Sequence, residues 1–179
     1  MAHGKNQRLR FKRRRNGETD YRRRMKMLRG GSARAVVRVT NTQTICQLVN
    51  YETSGDTIQV SIDGRTLVEK HGWPIDASRK STPASDLTGY AMAKAAISAG
   101  YEEARLDIGL AASTRGNRVF AALKGMVDAG MEIPHGEDVL PDDGRINGSH
   151  INDSIPAAAE ATKKSIEEAK SCAMKNPKL

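Results

Sequence analysis

Aromatic side chains are scarce: 179 residues contain one Trp, two Phe and four Tyr, too few for rows of platforms on which successive bases stack. Any affinity for a polyanion must therefore come from charge. Cysteine is almost as rare. Cys46 and Cys172 stand far apart and outside any CxxC setting, which argues against a disulfide framework or a zinc module and suits a reducing compartment. No apolar stretch approaches the roughly twenty residues that cross a bilayer, so the expectation is a soluble, cytoplasmic chain without a membrane partner. GxSxG, HExxH and P-loop patterns are also missing, which leaves the common hydrolytic and nucleotide-binding chemistries without their signatures. No internal repeat is visible.

Acids are in short supply in one place only. From Lys5 to Arg29 the chain has twelve Lys or Arg and two acids, whereas residues 30–179 have seventeen basic and nineteen acidic side chains. The net +8 thus divides into an arm of +10 and a body of −2. Like charges crowded at one end oppose compaction, and a polyanion relieves that repulsion, so the arm reads as a phosphate binder. A secretory signal is excluded because no apolar run follows the charges, and a transit peptide is Ser-rich and lacks acids. The run Lys12–Arg15 nearly supplies a nuclear-localisation cluster. Membrane-surface binding calls for a longer amphipathic helix than residues 20–29 allow.

Within the arm, Thr19 is the expected cap of a short helix, with Asp20 at its positive end and Gly30-Gly31 stopping it. Helical spacing places Tyr21, Met25 and Leu28 on one apolar stripe, and Arg22, Lys26 and Arg29 on a parallel basic one. The first is expected to dock and the second to face RNA. Residues 1–18, with Arg8, Arg10 and Lys12 among their cations, show no period and are expected to be disordered until bound.

Three β-branched runs follow, Arg34 to Thr40, Thr44 to Asn50 and Thr57 to Asp63, and predict an antiparallel meander. Alternation in the third puts Ile58, Val60 and Ile62 on one face, toward a core. Arg34 and Arg38, opposite Ala35, Val37 and Val39, are expected to extend the basic surface. After a short helical or irregular link at Arg65 to Trp73, Ser85 is the expected cap of an Ala-rich helix, Asp86 to Ala99, closed by Gly100. Ala104 to Leu110 reads as a strand returning to the sheet after that crossover. Val119, Phe120, Leu123, Met126 and Val127 repeat at helical spacing before Gly130, the clearest helix signal in the chain. Residues 131–152, with two Pro, three Gly and no period, read as a long loop that binds something or runs along another molecule. A last helix, Ile155 to about Met174, has a mostly Ala apolar face and is expected to be exposed or to find its partner elsewhere. The fold class is α/β: a mixed sheet built from an antiparallel three-strand meander plus a strand after a helical crossover, with helices packed on it. The expected divisions are a basic RNA-binding arm at 1–30, a core domain at 31–152, and a C-terminal helix and tail at 153–179.

Several stretches carry a resemblance to a known family: RRRNGETDYRRRMKMLRGG at 13–31, LTGYAMAKAA at 87–96, LDIGL at 106–110 and GNRVFAALKGMVDAGMEIPHGEDVLP at 116–141. The chain resembles the archaeal large-subunit ribosomal protein eighteen family, whose eukaryotic counterpart is large-subunit protein five. The resemblance implies an α/β sandwich core; with no catalytic motif in the chain, no enzymatic activity and no cofactor are expected. It also implies 5S rRNA, large-subunit rRNA and neighbouring large-subunit proteins as partners, with a place in the central protuberance of the cytoplasmic ribosome. On the arm it implies RNA contacts at Arg13, Arg14, Arg15, Tyr21, Arg22, Arg23, Arg24 and Arg29. It suggests a second set at Thr114, Arg115, Asn117 and Arg118, where amides at a helix start can join Arg side chains around a phosphate. The segment from Ile75 to Ser85 and everything after His150 carry less of it.

Two other classes fit the element order less well. A ribonuclease H-like nuclease needs clustered carboxylates for two metal ions, with one acid inside the first strand. RAVVRVT has none, and Asp63 and Asp107 fall at strand ends. Asp138, Asp142, Asp143, His135 and His150 match no metal-ligand spacing, so no metal is expected. A nucleic-acid-binding regulator outside the ribosome would use the same arm but bind many duplexes without preference.

Overall fold

The computed structural model describes residues 10–175, with the side chains of the last helix described through residue 169. Four strands form one mixed sheet: β1 (Arg34–Val39), β2 (Thr44–Tyr51), β3 (Asp56–Asp63) and β4 (Arg105–Asp107). Their spatial order is β3-β2-β1-β4, the first two pairings antiparallel and β1 with β4 parallel. This is the expected meander plus returning strand. Before the sheet come α1 (Lys12–Arg15) and α2 (Tyr21–Leu28); after the meander come α3 (Gly64–His71), α4 (Thr82–Ser98), α5 (Arg118–Asp128), α6 (Asp143–Asn147) and α7 (Ile155–Lys175).

The core forms where one sheet face, Ala35, Val37, Cys46 and Leu48, meets Leu67, Met92, Leu123 and Met126 from the helices, all buried. Burial also pushes the Cys46 thiol far up, so it stays protonated inside the core. The helix expected from Asp86 starts earlier. Ser81 caps it, its Oγ accepting the Ala84 N–H at 3.4 Å, and Pro83 occupies the first turn, where a missing N–H costs nothing. Ser85 is instead buried inside α4 and shares a 2.7 Å hydrogen bond with Thr44 of β2.

Gly89 and Gly125 bring α4 and α5 into backbone contact. A Cβ at Gly89 would lie 2.0 Å from the Ala122 carbonyl oxygen, and one at Gly125 would lie 2.0 Å from that of Asp86. The last helix is not exposed as expected. Ile155, Thr162 and Ile166 are buried and recur along one side of α7, with Ala159 packed at the same face. The small Ala residues there permit close approach to α4. Tyr90 of α4 donates its hydroxyl to Glu167 at 2.7 Å and lies under the ammonium groups of Lys94 and Lys163. Residues 131–152 are likewise not a plain loop: Met131, Ile133 and Pro141 are buried, and Glu137–Val139 and α6 supply short helical turns. The apolar side chains tie the segment to the core despite its lack of period. Among the described residues no helix is long and apolar enough to cross a membrane.

One strand departs from its expected pattern in a way that matters below. Leu48 pairs with Val60 and Val49 with Ile58, so Gln59 is an extra residue bulged out of β3. Beyond the bulge the alternation changes phase. Val60 and Ile62 still lean toward the core, but Ile58 turns to the opposite face, half-exposed, and carries Asp56 with it.

Asp86 yields a pH prediction. Its side chain is 7% exposed, and one carboxylate oxygen has no hydrogen-bond partner among the described residues. Burial, and then repulsion from Asp128, pushes its pKa up to about 7, while Lys163 and Lys124 oppose the shift. A carboxyl raised above its ordinary 3.8 favours the folded state when protonated, so that stability is lost as pH climbs from about 4 through about 7. Asp86→Asn should therefore stabilise the protein on the order of 2 kcal/mol at alkaline pH and little in acid. Thermal melts of both proteins across this range check it; parallel pH profiles would show that Asp86 does not titrate as described.

Candidate nucleic-acid interface

Asp20, not Thr19, caps α2: its carboxylate accepts the backbone N–H groups of Arg22 and Arg23 at 3.0 and 3.1 Å. Those bonds, that of Arg23 foremost, hold its carboxyl below the usual value. A carboxylate serves better than a hydroxyl here because it also faces the positive helix end and two arginines. Gly31, at φ 68°, turns the chain out of the helix toward β1.

The docking stripe expected from Tyr21, Met25 and Leu28 is used only in part: Tyr21 and Leu28 are half-buried. Met25 is 52% exposed, and α2 has no buried residue. The helix instead turns Arg23, Arg24 and Met27 toward the outer sheet face. Arg24 Nη2 donates to both oxygens of Asp56 at 2.8 and 2.7 Å, and Arg23 Nη1 donates to the Gly109 carbonyl at 3.1 Å. What faces α2 is a carboxylate and a carbonyl, so arginines make the better contact. Tyr21 is half-buried, and the Arg14 guanidinium lies 5.0 Å from its ring centre.

Beneath the helix lies a chain of alternating charges. Arg34, only 2% exposed, donates to Asp56 at 2.8 Å and to Asp107 at 3.1 Å. Asp107 also accepts from Arg38, 3.1 Å at the carboxylate and 2.6 Å at its carbonyl. Partial burial pushes the Asp56 carboxyl up, but hydrogen bonds from Arg24 and Arg34 outweigh it and leave the group below its ordinary value. Arg34 therefore does not extend the exposed basic surface as expected: a guanidinium is buried only when paired, and its partners Asp56 and Asp107 come from distant parts of the chain. Arg38, with its side chain 44% exposed, still reaches solvent. A cleft of about 810 Å³ remains between the arm and the sheet, floored by Val36, Gln47, Val49 and Ile58.

The outward side of α2 presents Arg22, Lys26 and Arg29, all exposed, and none of them forms an ion pair among the described residues. Upstream, Arg10, Lys12, Arg13, Arg14 and Arg15 are exposed, and the last four form the single turn α1, an ordered piece where disorder was expected. Among the described residues only Arg13 has an acid nearby, Glu18 at 3.9 Å. Arg8 lies outside the described residues.

The second candidate set sits at the start of α5. Asn117 caps it, accepting the Arg118 N–H at 2.6 Å and donating to the Ala112 carbonyl at 3.2 Å. Thr114, Arg115 and Arg118 are exposed, and Arg115 reaches Asp138 only at 3.9 Å through solvent, a contact of small value. The bond from Arg23 to Gly109 ties α2 to the segment leading into this loop, and Arg23 and Met27 line a smaller cleft with Ser113 and Phe120. Both candidate sets thus border the same side of the molecule.

The acids that a nuclease would need are spent on structure. Asp63 caps α3 through the Thr66 N–H at 2.8 Å, Asp107 lies between Arg34 and Arg38, and Asp143 pairs with Lys124. His135 Nδ1 sits 2.7 Å from the Ile133 carbonyl oxygen, and Asp142 and His150 face solvent. Among the described residues, no three His, Cys, Asp or Glu side chains converge as a metal site. Sequence reading missed Asp56 and Gly109. The only signal for either was a glycine at a turn: Asp56 follows Gly55, and Gly109 lies in the turn two residues past β4.

The family described as ribosomal large subunit proteins 60S L5 and 50S L18 matches residues 5–102 and 98–136. Large ribosomal subunit protein uL18 of Methanothermobacter thermautotrophicus is 52% identical over 151 residues, covering 84% of this chain and 77% of that one. The uL18 protein of Methanoculleus marisnigri is 48% identical over 159 residues, 89% of each chain. That of Korarchaeum cryptofilum is 44% identical over 151 residues, covering 84% of this chain and 76% of its own. The matched span takes in the arm, the sheet and both crossed helices, and the chain belongs to the family of large-ribosomal-subunit proteins that holds 60S L5 and 50S L18.

Proposed function

We propose that the protein binds 5S rRNA through the outward side of its N-terminal arm and helps anchor that RNA to large-subunit rRNA in the central protuberance. Membership of the family makes the chain a structural protein of the large subunit in the cytoplasmic ribosome, with ribosomal RNA and ribosomal proteins as partners and no catalytic role. The observation that carries the finer reading is the split of α2 into two faces: Arg23 and Arg24 are engaged by the body, and Arg22, Lys26 and Arg29 face outward without acids. Arg10, Lys12, Arg13, Arg14 and Arg15 continue that surface upstream. Thr114, Arg115, Asn117 and Arg118 supply a second contact, and Arg38 a marginal one. The arm at 1–30 is a binding unit on the core domain at 31–152, which is followed by a C-terminal helix and tail at 153–179.

The test compares Arg22→Lys, Arg22→Ala and Arg23→Ala in filter binding to 5S rRNA at two salt concentrations. Lysine keeps the charge of Arg22 but loses the planar fork that grips two phosphate oxygens, so it should cost roughly 1 kcal/mol. Alanine should cost more, and Arg23→Ala should differ from both because that side chain faces the body. Equal losses from all three would reduce α2 to a diffuse cloud of charge. Saturable binding of many unrelated duplexes with no preference for 5S rRNA would favour a general nucleic-acid-binding protein instead.

A further inference from the structure

A surface meant for a polyanion carries, under its most basic element, the carboxylate of Asp56, side chain 28% exposed. Simple electrostatics makes this a liability. Yet α2 has eight residues and none is fully buried, too short to persist alone in water and with only the half-buried Tyr21, Met27 and Leu28 as apolar contact. Its side-chain hydrogen bonds to the body fix its position: Arg24 on both oxygens of Asp56 and Arg23 on the Gly109 carbonyl. Asp56 is itself held from behind by the buried Arg34, which Asp107 orients in turn. The bulge at Gln59 is what turns Asp56 to the arm's side of the sheet.

From this we propose that Asp56 is a positioning residue for RNA binding, a latch that fixes α2 so that Arg22, Lys26 and Arg29 meet the RNA already arranged. The inference rests on the proposed binding of 5S rRNA by the arm. Preorganisation raises affinity by lowering the ordering cost that a free arm would incur on binding. The two roles open to Asp56 predict opposite signs. As a mere negative charge near phosphate, its removal tightens binding; as the latch, its removal weakens binding even though the protein gains one unit of positive charge.

Asp56→Asn is expected to weaken 5S rRNA binding about tenfold by loosening the arm, with Arg34 still paired to Asp107 and thermal melting little changed. Asp56→Glu keeps the charge but moves it outward by one methylene, and it too should lose affinity. Trypsin, which cuts after the arm's own cations, should cleave residues 22–26 of either RNA-free variant on the order of tenfold faster than wild type, because cleavage needs the helix open. Tighter or unchanged binding by Asp56→Asn, with Arg22→Ala still impaired, overturns the latch and leaves the RNA reading intact. Wild-type affinity in Arg22→Ala and in a chain lacking residues 1–29 overturns the RNA reading and the positioning role with it. If Asp56→Asn does not fold, Asp56→Glu decides: wild-type binding and wild-type cleavage in that variant sink the proposal.

Discussion

Removing residues 1–29 is expected to lower affinity for 5S rRNA by roughly a thousandfold or more at moderate salt and to leave a folded body. The deleted segment holds twelve of the 29 basic residues, and the cations it presents outward on α1 and α2 are nearly all unpaired. Each phosphate neutralised releases condensed counterion, so roughly six to ten contacts give a log-affinity slope of about −0.7 to −0.9 per contact against log salt. The truncated chain should show a much shallower slope through Arg115, Arg118 and Arg38 alone. A slope near −2 for the intact protein would contradict the role given to the arm. The body should survive because its core elements begin at Arg34, and Arg34 keeps Asp107 and Asp56 when Arg24 is gone. Circular dichroism of the truncated chain checks this; an unfolded spectrum would make the arm part of the fold.

The second large effect is expected at the crossing of α4 and α5. In an exposed helix, Gly→Ala gains about 0.5–1 kcal/mol by restricting the unfolded chain. At Gly125 the sign should reverse. The new Cβ would meet the Asp86 carbonyl oxygen at 2.0 Å, and at Gly89 it would meet that of Ala122 at 2.0 Å. Both obstacles are backbone, so the helices must move apart and open the packing around Met92, Leu123 and Met126. Overpacking of this kind costs about 1–3 kcal/mol and more where the backbone has to shift. We expect Gly125→Ala to lose about 3 kcal/mol or more, a large part of the 5–15 kcal/mol of an ordinary domain. Urea melts measure it, and a variant as stable as wild type would mean that the helices are not in such close contact. Because α5 begins at the Thr114 to Arg118 loop, a displaced α5 should also weaken RNA binding more than its charge-neutral substitution accounts for.

Local patterns in the chain were legible. Segregation of charge into an arm of +10 and a body of −2 is a property of composition, and the β-branched runs and the Val119–Val127 period reveal their elements because alternation and helical spacing are read over neighbouring residues. The resemblance pointed to the family before any coordinate did. Legibility ended where a residue's role depends on a distant partner. The stripe of Tyr21, Met25 and Leu28 is a sound amphipathic reading, but the face that α2 meets offers Asp56, 32 residues away, and no helical wheel contains that carboxylate. Arg34 alternates like an exposed strand residue and is buried because Asp56 and Asp107 converge on it.

By itself, then, the sequence determined what the arm is made of, where the three-strand meander and the main helices lie, and the family to which the chain belongs. These follow from composition, short-range periodicity and motif. Only the tertiary structure decided which arginines face outward, which way Asp56 points beyond the bulged Gln59, and why α4 and α5 require glycine at Gly89 and Gly125. Each of those depends on a distance of a few ångströms between residues far apart in the chain, set when the sheet and helices close around one core.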